Sequence, residues 1–338
     1  MDSLTQFTLG AAVGEAVLGK KIGNKAMLWG GICGTIPDLD VFIPMGNAVA
    51  DFTYHRSFSH SLFVLALLTP LVAWLAMKIH KQPEGMKQRW WVMVYLVFAT
   101  HVLLDSFTAY GTQIFWPISS TPISWSTIFI IDPLYTVPLL IGLFAILIKR
   151  TMGTERWNLW GLGISSAYLC WTVGAKIYVD DQIHKGLEAQ GVTNYSLFST
   201  PAPFNTLLWR GIAKTETGYY EVYYSLLDTQ LPTNNPFFTS EEDLLTSIES
   251  DWSVSRLQWF SKGFYNVKLR DNKVVISDLR MGLEPSYVFQ FAVAEVNESG
   301  DTPTAAPTLI EVEQLNPERD LSVLDKVWKR IWSEEVII

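Results

Sequence analysis

The residues best suited to chemistry fall in three short clusters. Tyr54-His55-Arg56-Ser57-Phe58-Ser59-His60-Ser61 sets two histidines five residues apart, just ahead of a strongly apolar stretch. Pro37-Asp38-Leu39-Asp40 lies upstream, and His101-Val102-Leu103-Leu104-Asp105 sits inside a second apolar stretch. Three of the chain's five histidines are in these clusters. Ionisable side chains in apolar surroundings are costly and call for partners or a function. His101 and Asp105, four apart, share one helix face. Zinc accepts imidazole and carboxylate in a tetrahedral set, and catalytic sites keep a position open for water. His101, Asp105, one of Asp38/Asp40 and one of His55/His60 would complete a set. The spare carboxylate would orient a histidine or hold a second ion. The sequence therefore predicts one or two divalent ions, zinc first, with manganese or iron as alternatives because ligand type alone does not decide. Such an ion lowers the pKa of bound water and makes hydrolysis accessible near neutral pH.

Asp40, His60, Arg56 and Asp132 are the candidate catalytic groups. Arg56, the basic residue of the 44–60 loop, suits a phosphate oxygen. Asp132, in Ile131-Asp132-Pro133, is a ligand, a proton-transfer group or a helix cap, and Pro133 fits the first helical turn after a cap. Each cluster also has a plainer reading. His101–Asp105 is then a structural hydrogen-bonded pair, Pro-Asp-x-Asp a helix-ending turn, and Arg56 half of an ion pair. His184 and Glu188 share a helix face that reads as solvated.

The elements that must position these groups divide the chain near residue 180. Residues 1–179 carry 12 Lys/Arg against 9 Asp/Glu, and residues 180–338 carry 13 against 24, within a net charge of −8. The first part is apolar and the second acidic; neither is basic enough to suggest nucleic acid. Stretches 61–79, 90–108, 127–148 and 157–178 each approach the ~20 residues that cross a bilayer core. Residues 3–19, with Gly10 and Gly14 at a spacing that allows close helix packing, and residues 26–43 add two more. The expectation is a polytopic α-helical membrane bundle of four clear spans, six with the N-terminal pair, followed by a small α+β domain. Lys78, Lys81, Lys87 and Arg89, with Lys149, Arg150 and Arg156, put their loops in the cytoplasm by the positive-inside rule. Asp2, Gln6 and the three clusters then gather at the outer end, and residues 180–338 lie outside the cytoplasm. No cleavable signal peptide is evident. Cys33 and Cys170 lack metal-site spacing.

Beyond 180, a helix continues to Gln190. Strands are expected at Leu207–Lys214, Tyr219–Leu227 and Ser286–Val296, with a hairpin of Phe264–Arg270 and Val274–Leu279 around Asp271-Asn272. Ser240 reads as a helix cap, residues 297–308 as a loop and Leu321–Trp332 as a terminal helix.

Several ordered elements carry a resemblance. They are Met1-Asp2-Ser3-Leu4-Thr5, Pro37-Asp38-Leu39-Asp40, His55-Arg56 through Ser59-His60-Ser61, His101 to Asp105, Tyr110-Gly111-Thr112 and Ile131-Asp132-Pro133. Across most of residues 1–150 the chain resembles bacterial inner-membrane proteins labelled metal-dependent, LexA-binding hydrolases. It is more faintly similar to zinc-dependent phospholipase C and P1-type nucleases. The resemblance implies a multi-pass protein of the bacterial inner membrane, with ligands drawn from Asp38, Asp40, His55, His60, His101 and Asp105. That family usually has histidine where this chain has Gln6, a departure that bears on a second ion. The resulting expectation is a metal-dependent hydrolase cleaving an ester or phosphoester of a lipid or lipid-linked substrate, its C-terminal domain available to a protein partner. The alternatives are a non-catalytic scaffold held by a metal or a polar cluster and, third, a transporter.

Overall fold

The computed structural model describes residues 1–81, 84–151, 153–296, 306–316 and 322–338. Two compact units emerge. The first comprises Met1–Ile43, His55–Gly174 and Pro203–Asn205; the second comprises Pro44–Tyr54, Ala175–Ala202 and the described residues from Thr206 onward.

The first unit is helical. Helix α1 (Ser3–Ile22) starts at Asp2, whose carboxylate accepts from the backbone N–H groups of Leu4 and Thr5, satisfying donors that a helix start leaves open. Helix α2 (Lys25–Thr35) packs back on α1 through glycines: a Cβ on Gly30 would lie 2.1 Å from the Gly10 carbonyl oxygen, and one on Gly14 2.4 Å from that of Ala26. Only glycine permits so close an approach. Helix α3 (Ala48–Tyr54) belongs to the second unit. Helix α4 (Leu62–His80) is capped by the Ser61 hydroxyl, and α5 (Lys87–Ser106) brings a buried polar end into the unit. Helix α6 (Pro133–Ile148) starts at Asp132 with Pro133 in its first turn. Helix α7 (Glu155–Ala189) runs 35 residues and contributes to both units. Leu18, Met93, Phe98, Val102 and Leu139 are among the residues of the apolar core.

The predicted polytopic bundle is overturned. Among the described residues one helix, α4, is long and apolar enough to cross a membrane by length and composition; α6 is apolar but shorter. The reasons are local. Stretch 90–108 belongs to a helix that opens on Lys87 and Arg89 and carries His101 and Asp105 on its buried side. Residues 127–132 are not helical, which leaves 16 residues of α6. Stretch 157–178 continues through Asp180 and Asp181. Residues 26–43 split into the 11 residues of α2 and a 3₁₀ turn, Pro37–Phe42. Residues 3–19 include the buried Glu15, which Arg150 holds with two hydrogen bonds.

The second unit contains two four-stranded antiparallel sheets. One has β1 (Ser196–Pro201), β2 (Leu208–Lys214), β3 (Gly218–Ser225) and β4 (Phe237–Thr239) in that order. The other has β5 (Tyr265–Arg270), β6 (Lys273–Asp278), β9 (Gln290–Glu295) and β10 (Thr308–Leu315), while β7 (Gly282–Leu283) and β8 (Ser286–Tyr287) form a separate two-stranded ribbon. The order of this second four-stranded sheet is β10-β9-β6-β5. Helix α8 (Trp252–Phe260) and α9 (Val323–Trp332) complete the unit. The β5–β6 hairpin turns at Asp271 and Asn272, both at positive φ, a conformation Asp and Asn tolerate. Strands β1 and β10 and helices α3 and α8 were not anticipated. Ser240 caps no helix; its hydroxyl accepts from the Val267 N–H. Most of the expected 297–308 loop lies outside the described residues.

Candidate metal centre

Two 3₁₀ turns and one α-helix supply the cluster. Pro37–Phe42 follows α2 almost directly. With three residues per turn, Asp38 and Asp40, two apart, point in different directions. The second turn, Phe58–His60, follows Arg56, a non-glycine residue at φ 61. That turn lets the Arg56 N–H reach Asp40 Oδ2 at 3.0 Å while its carbonyl accepts from the Gln113 N–H at 2.9 Å. Helix α5 presents His101 and Asp105 one turn apart.

Asp38, His60, His101 and Asp105 each offer one ligand atom, all within 4.8 Å of one another. His60 Nε2 lies 3.3 Å from Asp38 Oδ1, 3.2 Å from Asp105 Oδ2 and 3.3 Å from His101 Nε2. His101 Nε2 lies 3.5 Å from both Asp38 Oδ1 and Asp105 Oδ2. Tetrahedral zinc with bonds of ~2.0–2.1 Å sets its donors about 3.3 Å apart, so these separations fit the edges of such a shell.

The outer hydrogen bonds turn the same atoms inward. His101 Nδ1 sits 2.7 Å from the Gly34 carbonyl, which can only accept, so Nδ1 carries the proton and the neutral ring leaves a lone pair at Nε2. Ser59 Oγ donates to Asp40 Oδ2 at 2.5 Å and lies 2.9 Å from His60 Nδ1. With its proton directed at Asp40, the serine accepts from His60 Nδ1, and His60 Nε2 is likewise a lone pair in the neutral ring. Four acceptors thus converge, and among them the buried Asp105 Oδ2 has no hydrogen-bond partner among the described residues. A bound cation or a proton relieves this. Burial pushes the His60 pKa down, but the Asp105 and Asp38 carboxylates beside it outweigh burial and hold it above the usual value. Burial pushes Asp38 up, and the His101 and His60 contacts more than reverse it. Asp105 is raised by burial and brought well below the carboxylate range chiefly by Arg56 and the Met1 amino group.

The other predicted residues are close by or elsewhere. Asp40 and His55 lie beside the cluster as a pair: His55 Nδ1 is 2.9 Å from Asp40 Oδ1, and Asp40 also accepts from Arg56 and Ser59. Arg56 is buried, with Nε 3.3 Å from Asp105 Oδ2 but not aligned as a hydrogen bond. Its Nη1 donates to Thr108 Oγ1, and its guanidinium lies over the Tyr110 ring. Asp132 caps α6 through Leu134 and Tyr135 and accepts from the Tyr168 hydroxyl. His184 meets Tyr195 in the second unit.

Sequence reasoning did not assign the Gly34 carbonyl, Ser59 or the Met1 amino group, which donates to Asp105 Oδ1. Gln6 donates from Nε2 to the same oxygen at 3.0 Å and to the His101 carbonyl at 3.2 Å. The available signals were the Ser59-His60 adjacency and the glycine face of α2.

The chain is 27% identical over 140 residues to the uncharacterized protein YfhP of Bacillus subtilis (strain 168), an overlap of 39% of this chain and 42% of that protein. The match therefore spans less than half of that relative. No solved structure matches the chain. Neither comparison carries an enzymatic activity, nor the expected likeness to phospholipase C or P1 nuclease. Residues 1–178, which contain all four converging side chains, match the profile of the YdjM inner membrane protein family, and the chain belongs to that family.

Proposed function

We propose that the protein is a membrane-bound, metal-dependent hydrolase acting on an ester or phosphoester of a lipid or lipid-linked substrate. The observation that carries this reading is the convergence of Asp38 Oδ1, His60 Nε2, His101 Nε2 and Asp105 Oδ2 within 4.8 Å of one another, with each histidine nitrogen 3.2–3.5 Å from its neighbours and both imidazoles turned inward by Gly34 and Ser59. Two neutral nitrogens and two carboxylate oxygens suit zinc; manganese or iron are the alternatives. A divalent ion in such a shell supplies Lewis acidity and lowers the pKa of a bound water.

The chain's own groups divide the remaining work. Asp38, about one fifth exposed where the other three are sealed, is the ligand that can yield a position to water or substrate. Arg56 balances the charge of Asp105, whose carboxylate Gln6 and the Met1 amino group hold. His55, partly exposed and oriented by Asp40, can hold or accept a proton at the edge of the cluster. A lipid fits because His60 stands two residues before α4. At 1.5 Å per residue α4 spans about 28 Å, close to a bilayer core of ~30 Å. A chain crossing through α4 carries the cluster at head-group depth. Lys78 lies in the last turn of α4 and Lys81, Lys87 and Arg89 follow it, so by the positive-inside rule this end is cytoplasmic and the cluster belongs to the outer face.

Elemental analysis of purified protein against a His101→Ala/Asp105→Ala variant tests the reading. Stoichiometric zinc, manganese or iron in the parent, absent from the variant, is the expected result, followed by release of product from phospholipid esters by the parent alone. Metal-free parent protein after reconstitution refutes it. One observation favours a second reading, a structural ion: four protein donors already fill a tetrahedral shell, the closed form typical of structural zinc. A fully loaded protein that turns over no ester would favour that reading.

A further inference from the structure

The 3₁₀ turn that carries Asp38 and Asp40 also carries an exposed apolar run. Val41 is 65% and Phe42 79% exposed, and Leu39 and Ile43 are about half exposed. Phe58, beside His60 on the second turn, is exposed as well. The two turns pack together. Five large apolar side chains thus stand in water within a few residues of the ligand set, on the elements that hold it. The same turn buries Pro37 and Asp40, an inversion of the usual pattern in which the carboxylate faces solvent. Apolar patches of this kind mark protein or membrane contacts.

Two facts select the lipid surface. The chain belongs to an inner-membrane family. The helix suited to crossing, α4, begins at Leu62, and its outward residues Phe63 and Leu67 are exposed and apolar. The run is therefore continuous with the end of α4 that meets the interface. Asp38, the one ligand whose side chain is partly exposed, lies between Pro37 and Leu39 on this same turn.

We propose that Leu39, Val41, Phe42, Ile43 and Phe58 form a lipid-facing rim that dips into the outer leaflet, and that an amphiphilic substrate reaches the cluster across it, its chain left among bilayer lipids and its polar ester at Asp38. The lipid contact rests on α4 crossing the membrane; the substrate route rests on the hydrolase reading above.

The test uses the full chain in nanodiscs of phosphatidylethanolamine and phosphatidylglycerol. Exposed Cys170 is replaced by Ser, buried Cys33 is kept, and an environment-sensitive fluorophore is attached at Phe42→Cys or, as a water-exposed reference, at Asp271→Cys on the β5–β6 turn. The expected result is blue-shifted emission at position 42, quenched several-fold more than at position 271 by lipids spin-labelled high in the acyl chain. Emission and quenching equal to those at 271 overturn the proposal. A blue-shifted probe that spin-labelled lipids fail to quench also overturns it, because protein then covers the rim. Metal content is measured on the same samples and on a Val41→Ser/Phe42→Ser variant, which keeps the ligand set. Absence of metal alongside lipid quenching sinks the hydrolase reading and leaves the rim standing.

Discussion

Replacing Gly30 with alanine reaches the candidate metal centre without touching a ligand. A Cβ there lies 2.1 Å from the Gly10 carbonyl oxygen and 2.9 Å from the Gly14 Cα. Carbon–oxygen contacts close at about 3.3 Å, so α1 and α2 must separate by roughly 1.2 Å. Both obstacles are backbone and cannot swing aside. Overpacking of this kind costs about 1–3 kcal/mol. The displaced helix carries the Gly34 carbonyl, which holds His101 Nδ1 at 2.7 Å, and leads straight into the Asp38 turn. A shift of about 1 Å takes that hydrogen bond past the ~3.2 Å at which N–H···O bonds normally end. Loss of a partner that orients a metal-bound histidine lowers affinity about 10–100-fold. The assay is competition for zinc against a chromogenic chelator on detergent-purified protein, with thermal unfolding in parallel. Gly163→Ala is the control, since a Cβ there meets nothing within 4 Å. Wild-type zinc affinity in Gly30→Ala would refute the argument that α1–α2 packing sets the position of His101 and Asp38.

Asp132→Ala removes the α6 cap and should cost about 1 kcal/mol while metal content stays at the parent level; lost metal would return Asp132 to the ligand set. Arg150→Ala leaves Glu15, 2% exposed, without its partner. It should destabilise by about 3 kcal/mol, the low end for a broken buried pair because Arg150 is itself one third exposed. Lys20→Ala, which removes a surface pair, should cost no more than about 0.5 kcal/mol in the same unfolding titration. The pH response follows from His60, whose pKa is raised in the metal-free fold. Its contribution to stability is fully present below the ordinary imidazole value of about 6.5 and is lost as pH rises through the raised value. Metal binding needs the neutral ring and tightens over the same interval. Thermal unfolding of chelator-treated protein should therefore fall in that window, and His60→Gln should flatten the slope.

The sequence was informative where a signal is local. Alternation and the Asp271-Asn272 turn marked the β5–β6 hairpin and strands β2 and β3 within two residues. Asp132-Pro133 marked the start of α6. Hydropathy misled where a buried polar face and a lipid-facing one look alike in composition. The stretch around His101 and Asp105 is apolar on average, yet its polar groups are paired inside the unit, and its helix starts on charged residues. Strand β10 escaped because its partner β9 fixes its place through pairing, which no single segment announces.

The site shows the same division between what spacing fixes and what only the fold decides. His101 and Asp105 are fixed by a helical period, and both converge. For Asp38 against Asp40 and His55 against His60, the sequence offered two equivalent choices each. The 3₁₀ geometry of Pro37–Phe42 separates the aspartates, and the turn at Arg56, a residue at positive φ, separates His55 from the Phe58–His60 turn: Asp38 and His60 face the cluster, while Asp40 and His55 pair beside it. The unchosen members still serve the chosen ones, because Asp40 receives Ser59, Ser59 receives His60, and His60 is thereby turned with Nε2 inward. Both pairs can therefore be essential for different reasons, one by donating to an ion and the other by orienting or moving a proton. Metal content separates these roles: loss of His60 should empty the site, while loss of His55 should leave it filled.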